Sequence, residues 1–578
     1  MQGQGNSDSR HVLGKGFLTS AIAVAVVVGV ALVASANAAW LPAKNVAAPA
    51  NVSESAVAVA PDGVATVVWS AWDDPGVWAR RYGAGGAPIG PAFELSDVDE
   101  VRTIAAVDAG DGSVLVMWSH GSGITTRTLE ARWIDADGNP NPVTHELGVN
   151  LQDSDVAVAP DRRATVVWND NSVDPARIAV RQILPNGTLT ATELLSAAGG
   201  NAGEPFVAVA PEGEEAGTVT ATFIRYDGTG YTVHARRIDS EGAISATTHD
   251  VSVPPATPND SGYYPSVDVD PDGVATIVWQ QTSSGGSWIR ARRLLANGTL
   301  ADAIDLSPPA GGVRRETAIA VDPAGNAVIG WTQRGEDSNY RARARVLDST
   351  GALGETLPLG PEGTDFVDDD WISIAATVAD RATLVWGLDD DDAGASKVWG
   401  RDLANGELGP RVELGGHYSE LPRVAADADG VATAIWAHYD EDTEQGSLRI
   451  TRSDPFASAN LRAAAKAPKR VAAGSKLGLR VRVRNRGNAG AAKVRACPKL
   501  AGKSKRAFKI LGRAKGCKSA GDVGPGRSKV VRLALKAKPK ALRPGVRYKL
   551  TVLVTGRDAT SGDALPKSSA TVRVRGKG

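Results

Sequence analysis

The sequence is poor in several features that would have named a chemistry. Cysteine occurs twice in 578 residues, which excludes both a framework of many disulfides and a four-cysteine zinc site. Histidine occurs seven times, and no H-E-x-x-H, G-x-S-x-G or phosphate-cradling glycine loop is present. A hydrolytic or phosphoryl-transfer signature is therefore missing. Paired carboxylates are abundant, but spacing alone gives them no roles. After Ala34 no second long apolar run follows, so no further membrane span is expected. Acidic residues nearly vanish after Leu461. From there to Gly578 the chain holds 33 Lys/Arg against 3 Asp/Glu, or 33 − 3 = +30. By subtraction from the totals of 64 and 65, the preceding residues hold 31 basic and 62 acidic side chains, or −31. An acidic body is joined to a basic tail, and the net charge of −1 conceals it.

What is present begins with a leader. Arg10 and Lys15 precede an apolar run from Phe17 to about Ala34, and Ala36-Asn37-Ala38 supplies an A-x-A cleavage site before Ala39. Residues 1–38 are read as a signal peptide. The alternative is an uncleaved membrane anchor, because about 18 apolar residues barely span a bilayer. Export places the protein outside the cell or in its envelope, where Cys497 and Cys517 are expected to form a disulfide.

The body is a repeat. VAVAPDGVATVVW ending at Trp69 returns as VAVAPDRRATVVW ending at Trp168 and as VDVDPDGVATIVW ending at Trp279, with weaker copies ending at Trp118, Phe223, Trp331, Trp386 and Trp436. Each of these eight units reads as four antiparallel strands. A Pro-Asp-Gly hairpin comes first, then a third strand of the type VWARRY, then a turn such as Ala296-Asn297-Gly298 that opens a fourth strand. One such sheet cannot bury both faces, so the units must stack around an axis as β-propeller blades. The eighth unit lacks its fourth strand. Leu41 to Val57 has the length of Leu408 to Val424, the segment entering unit eight. The N-terminal segment is therefore expected to complete the last blade and remove the free edge.

The units resemble the degenerate propeller repeats of secreted bacterial proteins, in the broad company of kelch and YVTN-type repeats, over about residues 40–453. That resemblance implies a fold and little else, since propellers host enzymes, adhesins and scaffolds alike.

Beyond an Ala- and Ser-rich segment the pattern becomes strict alternation. In LGLRVRVRN, Leu477, Leu479, Val481 and Val483 share one face and Arg480, Arg482 and Arg484 the other; Arg532 and Lys536 repeat the arrangement. Such strands predict a two-sheet sandwich. VRVRNRGNAGAAKVRAC and PGRSKVVRLAL resemble the CARDB-type, immunoglobulin-like modules of bacterial surface proteins, which implies an adhesion or spacer role. The expected organisation is all-β: signal peptide 1–38, eight-bladed β-propeller 39–453 closed by an N-terminal strand, linker 454–469, and basic Ig-like sandwich 470–578.

Four sets of residues are candidates for function. The recurrent tryptophan, at the end of a hairpin strand, is read as packing between blades rather than sugar stacking. The third-strand arginines Arg80, Arg132, Arg181, Arg236, Arg292 and Arg345, with Arg401 and Arg452 in related places, invite comparison with the arginine triad of sialidase propellers. Eightfold recurrence argues for a structural ladder instead. The turns around Asp268, Asp270 and Asp272 imitate a calcium loop, but its twelfth position is Trp279, so they are read as hairpin turns. The variable loops between second and third strands carry Trp72, Asp73, Asp74, Asp227, Asp337, Asp389 to Asp392, Tyr439, Asp440 and Asp442. Residues of these types on a rigid scaffold are a candidate ligand face, suited to a basic partner or a cation; Asp390 and Asp391 belong to that set. The alternative is a solvated acidic rim. No cofactor is expected, calcium being the one ion these loops suit.

Together these features favour a non-enzymatic extracellular or envelope binding scaffold. Its loop face would take the ligand, and Arg480, Arg482, Arg484, Arg532 and Lys536 would attach it to an anionic cell-surface polymer. No nucleic acid is expected, and a membrane only if the leader stays uncleaved. An extracellular polysaccharide hydrolase or lyase on the loop face is the alternative, and docking of the basic domain on the acidic body is a third reading.

Overall fold

The computed structural model describes residues 39–46, 51–123, 126–254, 257, 260–309, 312–335, 339–360, 372–390, 395–441, 443–454, 461–485, 491–512, 516–523, 527–558 and 568–577. The leader lies outside them. Among the described residues, eight antiparallel sheets follow one another along the chain and two more form a C-terminal sandwich. No described helix is long and apolar enough to cross a membrane.

The first sheet shows why the repeat folds as it does. Val52–Val59 and Ala65–Ala71 pair across the Pro61-Asp62-Gly63 turn, Val77–Tyr82 pairs next, and Pro88–Ser96 is outermost. Gly63 takes φ +88°, a left-handed conformation a side chain resists, and the Asp62 carboxylate accepts the Val64 N–H at 3.1 Å. The turn aspartates are therefore hairpin caps. Asp270 likewise accepts Val274 N–H at 2.9 Å, and Asp427 accepts Val431 N–H at 2.9 Å.

Neighbouring sheets meet face to face. The first strand of each lies against the first strand of the next, and Ser419–Ala426 of the eighth lies against Val52–Val59 of the first. Apolar clusters fill every junction. Trp118 packs with Val68 and Val77, Trp168 with Leu115 and Leu129, and Trp331 with Val278 and Ile289. Ile435, Leu448 and Ile450 of the eighth sheet pack with Val57, Val67 and Trp69 of the first. The recurrent aromatics are buried at these junctions. The eighth sheet takes its outer strand from the N-terminal segment: Ala39 and Trp40 pair with Asp454 and Ser453, and Lys44 and Asn45 with Ile450 and Arg449.

The arginines stitch the same junctions. Arg132, Arg236, Arg345 and Arg401 each donate to a backbone carbonyl at the end of the preceding sheet, on Leu95, Leu195, Leu306 and Leu359, at 2.6, 2.8, 2.7 and 3.1 Å. Arg181 and Arg292 do the same to Leu147 and Val251. Arg80 donates at 2.8 Å to Val46 O, so the first sheet is stitched to the N-terminal segment in the same way. Arg452, grouped with this row by sequence, belongs to a second one: it stands opposite Thr433 as Arg81 stands opposite Thr66. Adjacent strand residues point to opposite faces, so this row reaches forward. Arg81 donates to Ala136 O, Arg237 to Gly273 O, Arg293 to Gly325 O and Arg452 to Gly63 O, all in turns of the following sheet. These guanidiniums are engaged by backbone and are not a carboxylate-gripping triad. The arrangement is β-propeller-like.

In the sandwich, Leu461–Lys466, Lys476–Asn485, Ser528–Ala537 and Phe508–Ile510 form one sheet. Arg470–Ala472, Ser568–Lys577, Arg547–Asp558, Ala491–Lys499 and Lys518–Val523 form the other. Their apolar faces share one core, including Leu479, Val481, Leu533, Val552 and Phe508. Cys497 and Cys517 are joined by a disulfide. A six-residue segment, Gly502–Ala507, is the one α-helix of the described residues. The linker expected at 454–469 is corrected: Leu461–Lys466 pairs along its length with Lys476–Asn485, so the sandwich begins at Leu461. The alanines that suggested a linker lie on that strand.

Candidate functional site

Several carboxylates of the described loops between second and third strands are turned onto nearby backbone N–H groups. Trp72 is 67% exposed. Asp73 accepts the Asn51 N–H and its side-chain amide at 2.9 and 3.0 Å, bracing its own connection; Asp74 is exposed. Burial tends to raise the pKa of Asp227, but hydrogen bonds from Thr229 N–H, Gly230 N–H and the Thr232 hydroxyl win and hold it below the usual carboxylate range. Tyr439 is 41% exposed, and Asp440 accepts Thr443 N–H at 3.3 Å. Asp389 and Asp390 end the second strand of the seventh sheet. Asp337, Asp391, Asp392 and Asp442 lie outside the described residues. Among the described residues, no three His, Cys, Asp or Glu side chains cluster closely enough to hold a metal ion.

A more ordered set of polar groups sits where each first strand begins. The pairing of first and second strands shifts register there in seven sheets, between Val52 and Glu54, Leu151 and Ser154, Gly203 and Phe206, and Tyr263 and Ser266 among others. Such β-bulges free an amide from the ladder. A carboxylate of the neighbouring sheet meets it: Glu204 accepts Tyr264 N–H at 2.6 Å, and Asp153 takes a hydrogen bond from Glu204 N–H. Burial pushes Glu54 up to about 7, against the pull of the nearby Arg423 guanidinium. Beside Glu204 lie Tyr226, Tyr231, Tyr263 and Tyr264, with successive ring centroids 5.4, 5.4 and 6.1 Å apart. Sequence reasoning found Asp227 and missed this row, because a bulge leaves no mark on hydrophobic alternation.

The sandwich does gather its predicted residues. Arg480, Arg482, Arg484, Arg532 and Lys536 all point outward from the sheet that contains Lys476–Asn485 and Ser528–Ala537. Arg480 stands opposite Arg532 and Lys476 opposite Lys536, with Lys466 and Arg462 beside Arg480 and Arg484. Lys509 extends the row next to Lys536. Among the described strand residues, every charged side chain on this face is a cation. Like charges placed directly opposite one another destabilise a sheet. Lys466, Lys509 and Arg462 were missed; two of them lie on the strand taken for a linker. At the rim, Arg462 meets Asp429 of the eighth sheet at 3.7 Å.

No family model and no curated protein matches the chain. Among solved structures, the BP39L lectin from Burkholderia pseudomallei is similar at 13% identity, over 64% of this chain and all of that one, with a TM-score of 0.41. An α-L-arabinanase of Penicillium chrysogenum, solved with arabinobiose, is similar at 13% identity, over 55% of this chain and all of that one, with a TM-score of 0.33. The CARDB domain of a Pyrococcus furiosus protein, solved with two metal ions, is similar at 19% identity over 21% of this chain and 89% of that one, with a TM-score of 0.14.

Proposed function

We propose that the chain is a non-enzymatic binding scaffold of the cell envelope or exterior. In this reading an exported eight-bladed propeller, closed by its N-terminal strand, is fastened to an anionic cell-surface polymer by a basic immunoglobulin-like sandwich. One observation carries the assignment: an outward sheet face on which Arg480 opposes Arg532 and Lys476 opposes Lys536, with no carboxylate among them. A protein tolerates such a field where a polyanion neutralises it. The full-length protein should bind immobilised polyphosphate at low salt and elute as salt approaches ~1 M, where the screening length falls to about 3 Å. The triple variant Arg480→Glu, Arg482→Glu, Arg532→Glu should flow through. Retention indifferent to salt, or equal in the variant, removes the assignment.

The hydrolase alternative is favoured by one group. Glu54, with its pKa pushed up to about 7 by burial, has the protonation behaviour of a general acid. Cleavage on a panel of extracellular glycans that is lost in Glu54→Gln would transfer the assignment to that reading.

A further inference from the structure

The junction between the second and third sheets lacks an arginine plug that four of the eight junctions carry. At those four a forward-reaching arginine, Arg81, Arg237, Arg293 or Arg452, enters the turns of the next sheet and donates to their carbonyls. In the second sheet that register position is Trp133, opposite Leu115 as Arg81 is opposite Thr66. The facing turn has changed with it. Gly63, Gly112, Gly273, Gly325 and Gly430 occupy the left-handed position of the hairpin turn in other sheets, whereas the third sheet places Arg162 there at φ +71°. An L side chain adopts this conformation only against a steric penalty, and such strain concentrates at functional positions. The cation thus arrives from the opposite side, and its guanidinium lies 4.9 Å over the Trp133 ring.

A cleft of about 350 Å³ is lined by Trp133, Asn141, Val143, His145, Arg162 and the turn Pro185–Gly187, at the small end of the range for small-molecule sites. Arg162 makes no side-chain hydrogen bond among the described residues. Asp111, whose charge it feels, is held instead by the hydroxyl and N–H of Ser113. His145 is 7% exposed, yet its ring has no hydrogen-bond partner among the described residues. Burial and the neighbouring Arg181 keep that imidazole neutral. Asn141 and Asn186 use their side-chain oxygens on Val143 N–H and Thr188 N–H, which leaves their NH₂ groups as donors. Val143, 51% exposed, and Pro185 supply apolar surface at the rim.

We propose that this cleft binds one carboxylate-bearing sugar residue, its carboxylate on the Arg162 guanidinium and its hydroxyls on His145, Asn141 and Asn186. A planar guanidinium, braced on a ring and unpaired, suits a carboxylate. Neutral donors around it suit hydroxyls. The site is separate from the basic sandwich, so its fate leaves the polymer attachment untouched.

Saturation-transfer NMR and calorimetric titration of the full-length protein with galacturonate, glucuronate, galactose and acetate test the assignment. A uronate should bind saturably, and galactose and acetate at least tenfold more weakly. Arg162→Gly restores the residue that other sheets carry, so it should fold with an equal or higher melting temperature while losing at least tenfold in uronate affinity. The pair Trp133→Arg, Arg162→Gly rebuilds the plug and should abolish binding. Uronate binding that survives both variants, equal binding of galactose, or no binding by either uronate overturns the proposal.

Discussion

The body and the sandwich use the same residue to opposite ends. In the eight-sheet body the arginines of the third strands are turned onto backbone carbonyls of neighbouring sheets, where a charged donor contributes about 1.5–3 kcal/mol per hydrogen bond. In the sandwich, Arg480, Arg482 and Arg532 face solvent on a sheet that needs none of them for its core. Charge in the first region is architecture, and in the second it stands on a solvent-facing sheet surface. Where a guanidinium donates therefore says more about its purpose than how many there are.

The sharpest break of this comparison is at Arg452. Its guanidinium is buried, donates to Gly63 O and pairs with Asp427 at 2.6 Å. Arg452→Ala should lower stability by about 3–5 kcal/mol, because it strands a buried carboxylate, while Arg482→Ala should stay within about 0.5 kcal/mol. Chemical denaturation of the two variants decides, and equal losses would dissolve the distinction. Next in size is the disulfide. Cys497→Ser with Cys517→Ser reopens a loop of 20 residues and should remove about 3 kcal/mol from the sandwich alone. Calorimetry should then show one transition moving and the body's transition fixed.

The smallest effect lies on the inner strands of the body. Asp155 and Asp268 accept Val207 N–H and Val321 N–H of neighbouring sheets, and burial raises both to about 6. Between about pH 4 and 6 the folded chain then holds more protons at these sites than the unfolded chain. Their contribution therefore falls as pH rises through that window and is constant above it. Both side chains retain some contact with water, so about 1 kcal/mol each is expected rather than the full shift. Asp155→Asn with Asp268→Asn keeps the acceptors and removes the titration. Its melting temperature should decline less between pH 4 and pH 7.5 than that of the parent, and identical profiles would refute the assignment.

Much of this was legible before any coordinates. Trp69, Trp168 and Trp279 close near-identical strings, and burial at the junctions follows from their place on an alternating strand. The arginine row was visible for the same reason. Its partners were not, because they are backbone carbonyls, which carry no residue identity; hence Arg452 was grouped with the wrong row. Ala463 to Ala465 concealed a strand, since alanine has little preference for a pleated surface. Arg162 is the instructive case. VAVAPDRRATVVW differs from VAVAPDGVATVVW at the turn glycine, a substitution in plain view. Its meaning required knowing that Trp133 stands across the junction from it.

The pairing of Ala39 and Trp40 with Ser453 and Asp454 also sets an order of events. Leu41 and Thr451, which share a hydrogen bond, are 410 residues apart, so a ribosome making about 5–20 residues per second separates their synthesis by at least about twenty seconds. Throughout that interval Ala39 and Trp40 have no strand to pair with. A chain of this design can begin folding early but finishes only after its last sheet has been made, and cargo fused ahead of Ala39 would sit at the seam where it finishes.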